Sequence, residues 1–446
     1  MPSTPIARLV ALYPLILFFC LFLGSGLYFS LTGQVHAFYQ VSASVAILPA
    51  IIFSMLLCQA PFNKRMETFL EGVRDNNIII MVLIYLLAGA FATVLQSTGG
   101  VHSVVNFCLS FISAKATLPV LFLVAAAVST AIGTSMGTIA AIGPIGVGIA
   151  QSIGIPLPLT MGVIVGGAMF GDNLSLISDT SIAATQIHGC SPRAKFKSNL
   201  KITFPTMLVT LLVISLLGNE VVGTSILTIG DYQLLPCLPY LIVLILALLG
   251  INVFVVLTIG ILLASIVGFL TVPAYTFLSI AQDIFTGYKS MAEILIFSLL
   301  MGGLGALIKY QGGFLWITNI LEKSMLNKKI VHQKSAECAM GLLVGLTDIC
   351  TANNTTAIIL SGEMTKEIAK RNNILPERAA TIVDLFACVC QGLLPYGAQI
   401  LMAGSLASIS PLEIMFNVHY CFFLGVAGIV FIISSKKVEV VVLTND

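Results

Sequence analysis

The chain has 446 residues, 58% of them hydrophobic and only 9% charged, with a net charge of +2. Soluble domains carry about 25% charged residues, so this composition excludes a soluble enzyme or binding module and describes a polytopic membrane protein. The Lys and Arg residues sit in short segments between apolar runs, which argues against a nucleic-acid partner and for the lipid bilayer as the main one.

Taken in order, the first apolar run is Leu9–Leu31. With Arg8 before it and Val35-His36-Ala37 after it, it imitates a secretory signal. It is too long for the 7–15 residue apolar core of such a signal and matches a spanning helix of about 20 residues. Spans 41–59 and 78–96 follow. Segment 117–152 is too long for one crossing and carries GTSMGT (133–138) at its middle. Two half-spans meeting at a polar tip predict a re-entrant hairpin, a backbone tolerated at membrane depth only inside protein or along a cavity.

Segment 158–187 is apolar at its ends and polar at its centre, where Asp172, Asn173, Ser175, Ser178, Asp179, Thr180 and Ser181 crowd together. One acid at mid-membrane costs roughly 2.5–3.5 kcal/mol on insertion scales. Two in one segment predict a broken helix with a function. Spans 202–218, 233–249, 251–270 and 292–308 follow. A second hairpin is predicted over 336–368 around TDICTANNTT (347–356). A second broken helix is predicted over 378–406, with Asp384, Gln391, Gly392, Pro395 and Tyr396. Span 412–434 ends the series. The ten cysteines are scattered, mostly in apolar runs, and Cys388 and Cys390 point apart on a helix, so neither disulfides nor a metal site is expected.

If the N-terminus is inside and each hairpin returns to the side it left, the inside segments are 1–8, 60–77, 188–201, 309–335, 369–377 and 435–446. Counting helix ends with the nearest segment, all 21 Lys and Arg except Lys115 and Lys289 are then inside, the bias expected of cytoplasmic termini. The two parts also repeat. Leu86-Leu87-Ala88-Gly89…Gly99-Gly100 recurs 213 residues later as Leu299-Leu300-Met301-Gly302…Gly312-Gly313, and Thr134 and Thr138 pair with Thr347 and Thr351. The expected fold is an all-α polytopic membrane protein. It is an inverted repeat of residues 1–220 and 221–446, with about ten spanning helices, two re-entrant hairpins and two broken helices. Secondary transporters place ion and substrate sites at such discontinuous helices.

Asp172, Ser175 and Asp179 are spaced to share one helical face, and carboxylates with neighbouring hydroxyls suit a hard cation or a proton. The plainer alternative is that each Asp caps a half-helix. In the second broken helix, Pro395 frees a carbonyl; Asp384 is either a second-half acid or a solvated residue near the inner end. The hairpin tips offer Thr134, Ser135, Thr138, Asp348, Thr351, Asn353 and Asn354 for a solute, with Gln391 and Tyr396 beside them, or for the turns themselves. Walker A and HExxH patterns are missing, so neither ATP-driven transport nor an enzyme activity is expected, and no cofactor beyond Na⁺ or H⁺ as coupling ion.

GAMFGDNLSLISDTSIAA (167–184) resembles the signature of the NhaC-type Na⁺/H⁺ antiporter family of the ion transporter superfamily: Gly171-Asp172, then Ser175, then Ser178-Asp179-Thr180. The resemblance extends to the Gly-Gly element and to TDICTANNTTAII in the second part. Antiporter members usually carry a Pro shortly before Ser-Asp-Thr, where this chain has Leu176 and Ile177, and the local sequence looks closer to amino-acid-transporter-like members. The resemblance implies an inner-membrane secondary transporter, often dimeric in relatives. The Asn- and Thr-rich second tip directs the expectation to Na⁺- or H⁺-coupled movement of an amino acid-like solute. Na⁺/H⁺ antiport is the alternative, and organic-acid exchange a third.

Overall fold

The computed structural model describes residues 9–32, 40–222, 232–326 and 333–434. The terminal segments assigned to the inside and the Val35-His36-Ala37 tripeptide lie outside them. A 3-10 turn, Leu9–Leu12, leads into α1 (Tyr13–Leu31), followed by α2 (Ala43–Leu57), α3 (Phe62–Val73), α4 (Asn76–Ser97) and α5 (Gly100–Phe111). Helices α6 (Thr117–Ile132) and α7 (Ser135–Ile153) form the first hairpin. Helices α8 (Leu157–Leu174) and α9 (Asp179–His188) form the first broken helix, and α10 (Pro192–Val222) closes the series. The order then recurs: α11 (Leu234–Leu248), α12 (Val253–Thr271), α13 (Phe277–Ser290), α14 (Ala292–Tyr310) and α15 (Gly313–Leu326). The second hairpin is α16 (Gln333–Thr351) with α17 (Asn354–Arg371), and the second broken helix is α18 (Pro376–Leu393) with α19 (Ala398–Ala407). A short α20 (Pro411–Met415) and α21 (His419–Ile433) end the chain's described part.

The fold is all-α. Among the described residues nine helical segments are long and apolar enough to cross a membrane, the arms of the first hairpin and both broken helices included, and four shorter apolar helices accompany them. The two hairpins meet tip to tip: Thr134 and Ser135 of one and Asn353 and Asn354 of the other line a single cavity.

The recurrence is closer in geometry than in sequence. Gly133 takes a left-handed φ of 78° and is followed by Thr134, φ −150°, the N-cap of α7. Ala352 takes a left-handed φ of 50° and is followed by Asn353, φ −150°, the N-cap of α17. Both broken helices are an 18-residue helix, a short break and a 10-residue helix. Gly99 and Gly312, both left-handed, keep the 213-residue offset. At the tips the offset has grown to 219, so Thr134 corresponds to Asn353. The pairings of Thr134 with Thr347 and of Thr138 with Thr351 are both corrected; one register cannot span a stretch that differs in length between the two series.

Two further features differ from the sequence reading. Helices α3, α5, α13 and α15, 12–14 residues each, occupy stretches read as connections. They are too short to span and were hidden by mixed polarity. Helix α10 starts at Pro192, ten residues before the predicted span. That extra length carries Lys195 and Asn199 into the protein interior, where they are 2% and 0% exposed.

The first hairpin clamps the first broken helix. A Cβ on Gly171 would lie 2.4 Å from the Ala126 carbonyl oxygen, and one on Gly167 would lie 2.4 Å from that of Phe122. At this spacing Ser129 Oγ donates to Ala168 O at 2.6 Å, and Ser175 Oγ donates to Thr130 O at 3.0 Å. Small residues permit the approach and hydroxyls tie the two backbones together, the usual means of helix association without a hydrophobic driving force.

Candidate functional site

The break in the first helix begins at Ser175, the C-cap of α8, and ends at Ser178, the N-cap of α9. Ser178 Oγ accepts from Ser181 N at 3.2 Å and donates to Asp172 O at 2.9 Å, joining the two half-helices. Ser178, and neither Asp, is therefore the cap. Because the helix breaks between them, Asp172 and Asp179 do not share a helical face, and Ser175 turns to the hairpin. The two carboxylates meet the same cavity by another route, from the last turn of α8 and the first residue of α9.

That cavity, of about 70 Å³, is lined by both hairpin tips, both broken helices and the start of α4. Thr134, Ser135, Asp172, Asp179, Thr180, Asn353, Asn354 and Gln391, all candidates from the sequence, line it together with Gln399, which is not among those candidates. A hydrogen-bond chain crosses it. Gln391 Nε2 donates to Gln399 Oε1 at 2.7 Å and to Ala352 O at 3.2 Å. Gln399 Nε2 donates to Ser135 Oγ at 3.0 Å, and Ser135 Oγ donates to Asp172 Oδ2 at 2.8 Å. Four separate elements are thus connected to one buried carboxylate. Gln391 and Gln399 occupy in the second broken helix the places of Asp172 and Thr180 in the first, so the crossing is acidic on one side and amidic on the other.

Other expected residues have structural duties. Thr138 Oγ1 donates to Thr134 O at 2.9 Å within α7. Thr351 Oγ1 donates to Thr347 O at 3.0 Å and to Asn353 O at 3.2 Å, closing the second tip. Asn353 Oδ1 accepts from Thr356 N at 2.9 Å as the cap of α17. Tyr396 OH donates to Ile349 O at 2.9 Å, pinning the second break to the hairpin arm. Asp348 is fully buried in α16 and does not line the cavity; neither carboxyl oxygen has a hydrogen-bond partner among the described residues.

Of the two readings of Asp384, the solvated one is removed. The residue is 0% exposed, in the middle of α18, not solvated near an end. Its Oδ2 lies 2.6 Å from Lys195 Nζ and accepts from Asn173 Nδ2 at 2.8 Å and Asn199 Nδ2 at 3.2 Å. Lys195 Nζ also donates to Ser181 Oγ at 2.5 Å and to the Asn173 carbonyl at 2.9 Å. Asn173 sits in the last turn of α8, where carbonyls lack intrahelical partners and carry partial negative charge. Asn173 therefore faces this ion pair and not the cavity. Lys195 and Asn199 were missed because a Lys three residues into a helix reads as an interfacial charge. Their only sequence signal is an i, i+4 polar pair at the head of a span.

Two larger cavities flank the site. One of about 540 Å³ is lined by Asp179, Thr355, Glu363 and Lys366 among others, and so shares Asp179 and Thr355 with the small cavity. The other, about 900 Å³, lies between α3, α14 and the second tip, with Lys64, Glu71 and Lys309 on its wall.

The sequence model of the Na⁺/H⁺ antiporter family matches residues 3–218. The Na⁺/H⁺ antiporter NhaC of Bacillus subtilis is 23% identical over 406 residues, covering 84% of this chain and 87% of that protein. The malate-2H⁺/Na⁺-lactate antiporter of the same organism is 26% identical over 204 residues, 45% of this chain and 43% of that protein. Among solved structures, the Alcanivorax borkumensis YdaH transporter matches with a TM-score of 0.46 and 14% identity, over 84% of this chain and 89% of that one.

Proposed function

We propose that this chain, similar over residues 3–218 to the Na⁺/H⁺ antiporter family model and over most of its length to a Na⁺/H⁺ antiporter, is a secondary transporter that exchanges Na⁺ for H⁺ across a bacterial inner membrane. The observation that carries the proposal is the size and lining of the central cavity. At about 70 Å³ it is far smaller than the 540 and 900 Å³ cavities beside it, and oxygens converge on it from both hairpin tips and the first broken helix. That lining suits a small hard cation. An amino acid-like solute would need partners for both its amino and its carboxyl group. The Asn- and Thr-rich second tip, which suggested such a solute, is largely occupied with its own turn. The amino-acid expectation therefore gives way to antiport.

In this reading Na⁺ takes oxygens from Asp172, Ser135, Thr180 and Asp179, an all-oxygen set of the kind hard cations prefer. A proton and Na⁺ compete for the same carboxylates, so loading by one excludes the other. Residues 1–220 and 221–446 act as inverted units whose hairpins deliver the two tips from opposite faces. With the Lys and Arg bias setting both termini in the cytoplasm, the two larger cavities open inward.

The test is reconstitution in liposomes with an imposed Na⁺ gradient and no organic solute. Lumenal pH is expected to follow the gradient. No pH change without malate or lactate, and a pH change with either, would replace the proposal by organic-acid exchange, the reading suggested by the second relative. Na⁺-dependent uptake of a labelled amino acid with no pH response would restore the amino-acid reading.

A further inference from the structure

We propose that Lys195 is a tethered cation filling a second cation site, and that its ammonium keeps Na⁺ out of that site. This rests on the Na⁺/H⁺ reading above. The Lys195 ammonium is held by three oxygens of different kinds: a carboxylate oxygen of Asp384 at 2.6 Å, the hydroxyl of Ser181 at 2.5 Å and the main-chain carbonyl of Asn173 at 2.9 Å. Ser181 and Asn173 come from the first broken helix and Asp384 from the second, so the cage spans the same crossing as the central cavity. Two more buried oxygens of the surrounding side chains, Asp384 Oδ1 and Asn199 Oδ1, have no hydrogen-bond partner among the described residues. Carboxylate, carbonyl and hydroxyl oxygens together are a hard-cation donor set. What separates this cage from a cation site is that its occupant is covalently attached.

The attachment has a consequence for coupling. A buried carboxylate left uncompensated is expensive, on the order of several kcal/mol. Lys195 compensates Asp384 permanently and leaves Asp172 as the buried carboxylate of the crossing that faces the cavity. The cage then contributes no ion to the exchange, and the number of Na⁺ moved per cycle is set by the Asp172 cavity.

The experiment compares wild type, Lys195→Met and Lys195→Met/Asp384→Asn as purified full-length protein, with choline chloride holding ionic strength constant. It measures the thermal midpoint against the logarithm of Na⁺ concentration, together with ²²Na⁺ retained per chain. A saturable ligand raises the midpoint in proportion to the number of sites. Lys195→Met is expected to show about twice the wild-type slope and about twice the retained Na⁺, and the double variant to return to the wild-type values. A Lys195→Met slope no steeper than wild type overturns the proposal, as does a doubled slope that survives Asp384→Asn. If Lys195→Met cannot be recovered folded even in Na⁺, the cage does not accept the ion and the proposal fails. A wild type with no Na⁺ response at all would instead overturn the antiport reading.

Discussion

At the residue scale, the two acids of the first broken helix are not equivalent. Asp172 is 5% exposed and held by Ser135, whereas Asp179 is exposed and bridges the small cavity to the 540 Å³ one. A unit charge about 4 Å from a cation is worth roughly 4 kcal/mol at the effective dielectric of a protein and about 1 kcal/mol in water. Asp172→Asn keeps an acceptor for Ser135 and removes the charge. Its apparent Na⁺ affinity in liposomes is expected to fall by about a thousandfold, against about tenfold or less for Asp179→Asn. Proton and Na⁺ compete for Asp172, so wild-type apparent Na⁺ affinity should fall as pH falls. In Asp172→Asn that dependence should flatten; an unchanged pH profile would remove Asp172 from the exchange site. Both acids could be found from sequence because their types are anomalous in an apolar run. Lys195 could not, because its burial depends on Asp384, which lies far along the chain.

At the element scale, hydropathy makes spans legible, and polar interruptions make tips and breaks legible. Short amphipathic helices such as α3 are not, since their apolar face is defined only by what they meet, here α14, where a Cβ on Gly303 would lie 2.2 Å from the Phe69 ring. The packing of arms is equally invisible until the structure shows it. The second hairpin is tied to α18 by Glu337 and Arg378. Glu337 accepts from Arg378 at 2.6 and 2.7 Å, and Arg378 also donates to Phe431 O at 3.0 Å and stacks 3.8 Å over the Phe431 ring. Glu337 is 0% exposed. Removing one member of a buried pair costs about 3–5 kcal/mol, while replacing both by apolar groups is often neutral. Glu337→Ala should lower the thermal midpoint in detergent by several degrees, and Glu337→Leu/Arg378→Met should restore most of it. On the other hairpin, Gly171→Ala should cost about 1–3 kcal/mol through overpacking against α6. Circular dichroism melts would detect the change, and a variant as stable as wild type would show that α6 can withdraw.

At the scale of the whole molecule, access to the site is asymmetric. Thr355 lines both the 70 Å³ and the 540 Å³ cavities. With the exposed Cys20 and Cys338 replaced by Ser, Thr355→Cys should react with a membrane-impermeant maleimide in inside-out vesicles, and Na⁺ should slow the reaction. Reaction only in right-side-out vesicles would reverse the assigned orientation. The close contact between α4 and α13 bears on how the protein is made. A Cβ on Gly89 would lie 2.2 Å from the Gly287 carbonyl oxygen, and one on Gly287 would lie 2.4 Å from the Gly89 backbone. These glycines press together across roughly 200 residues of chain. At about 5–20 residues per second, α4 leaves the ribosome some 10–40 s before its partner exists. During that interval its glycine face has no surface to rest on. Biogenesis must therefore shelter a half-finished crossing, and a nascent chain stalled before Gly287 should be among the first targets of membrane quality control.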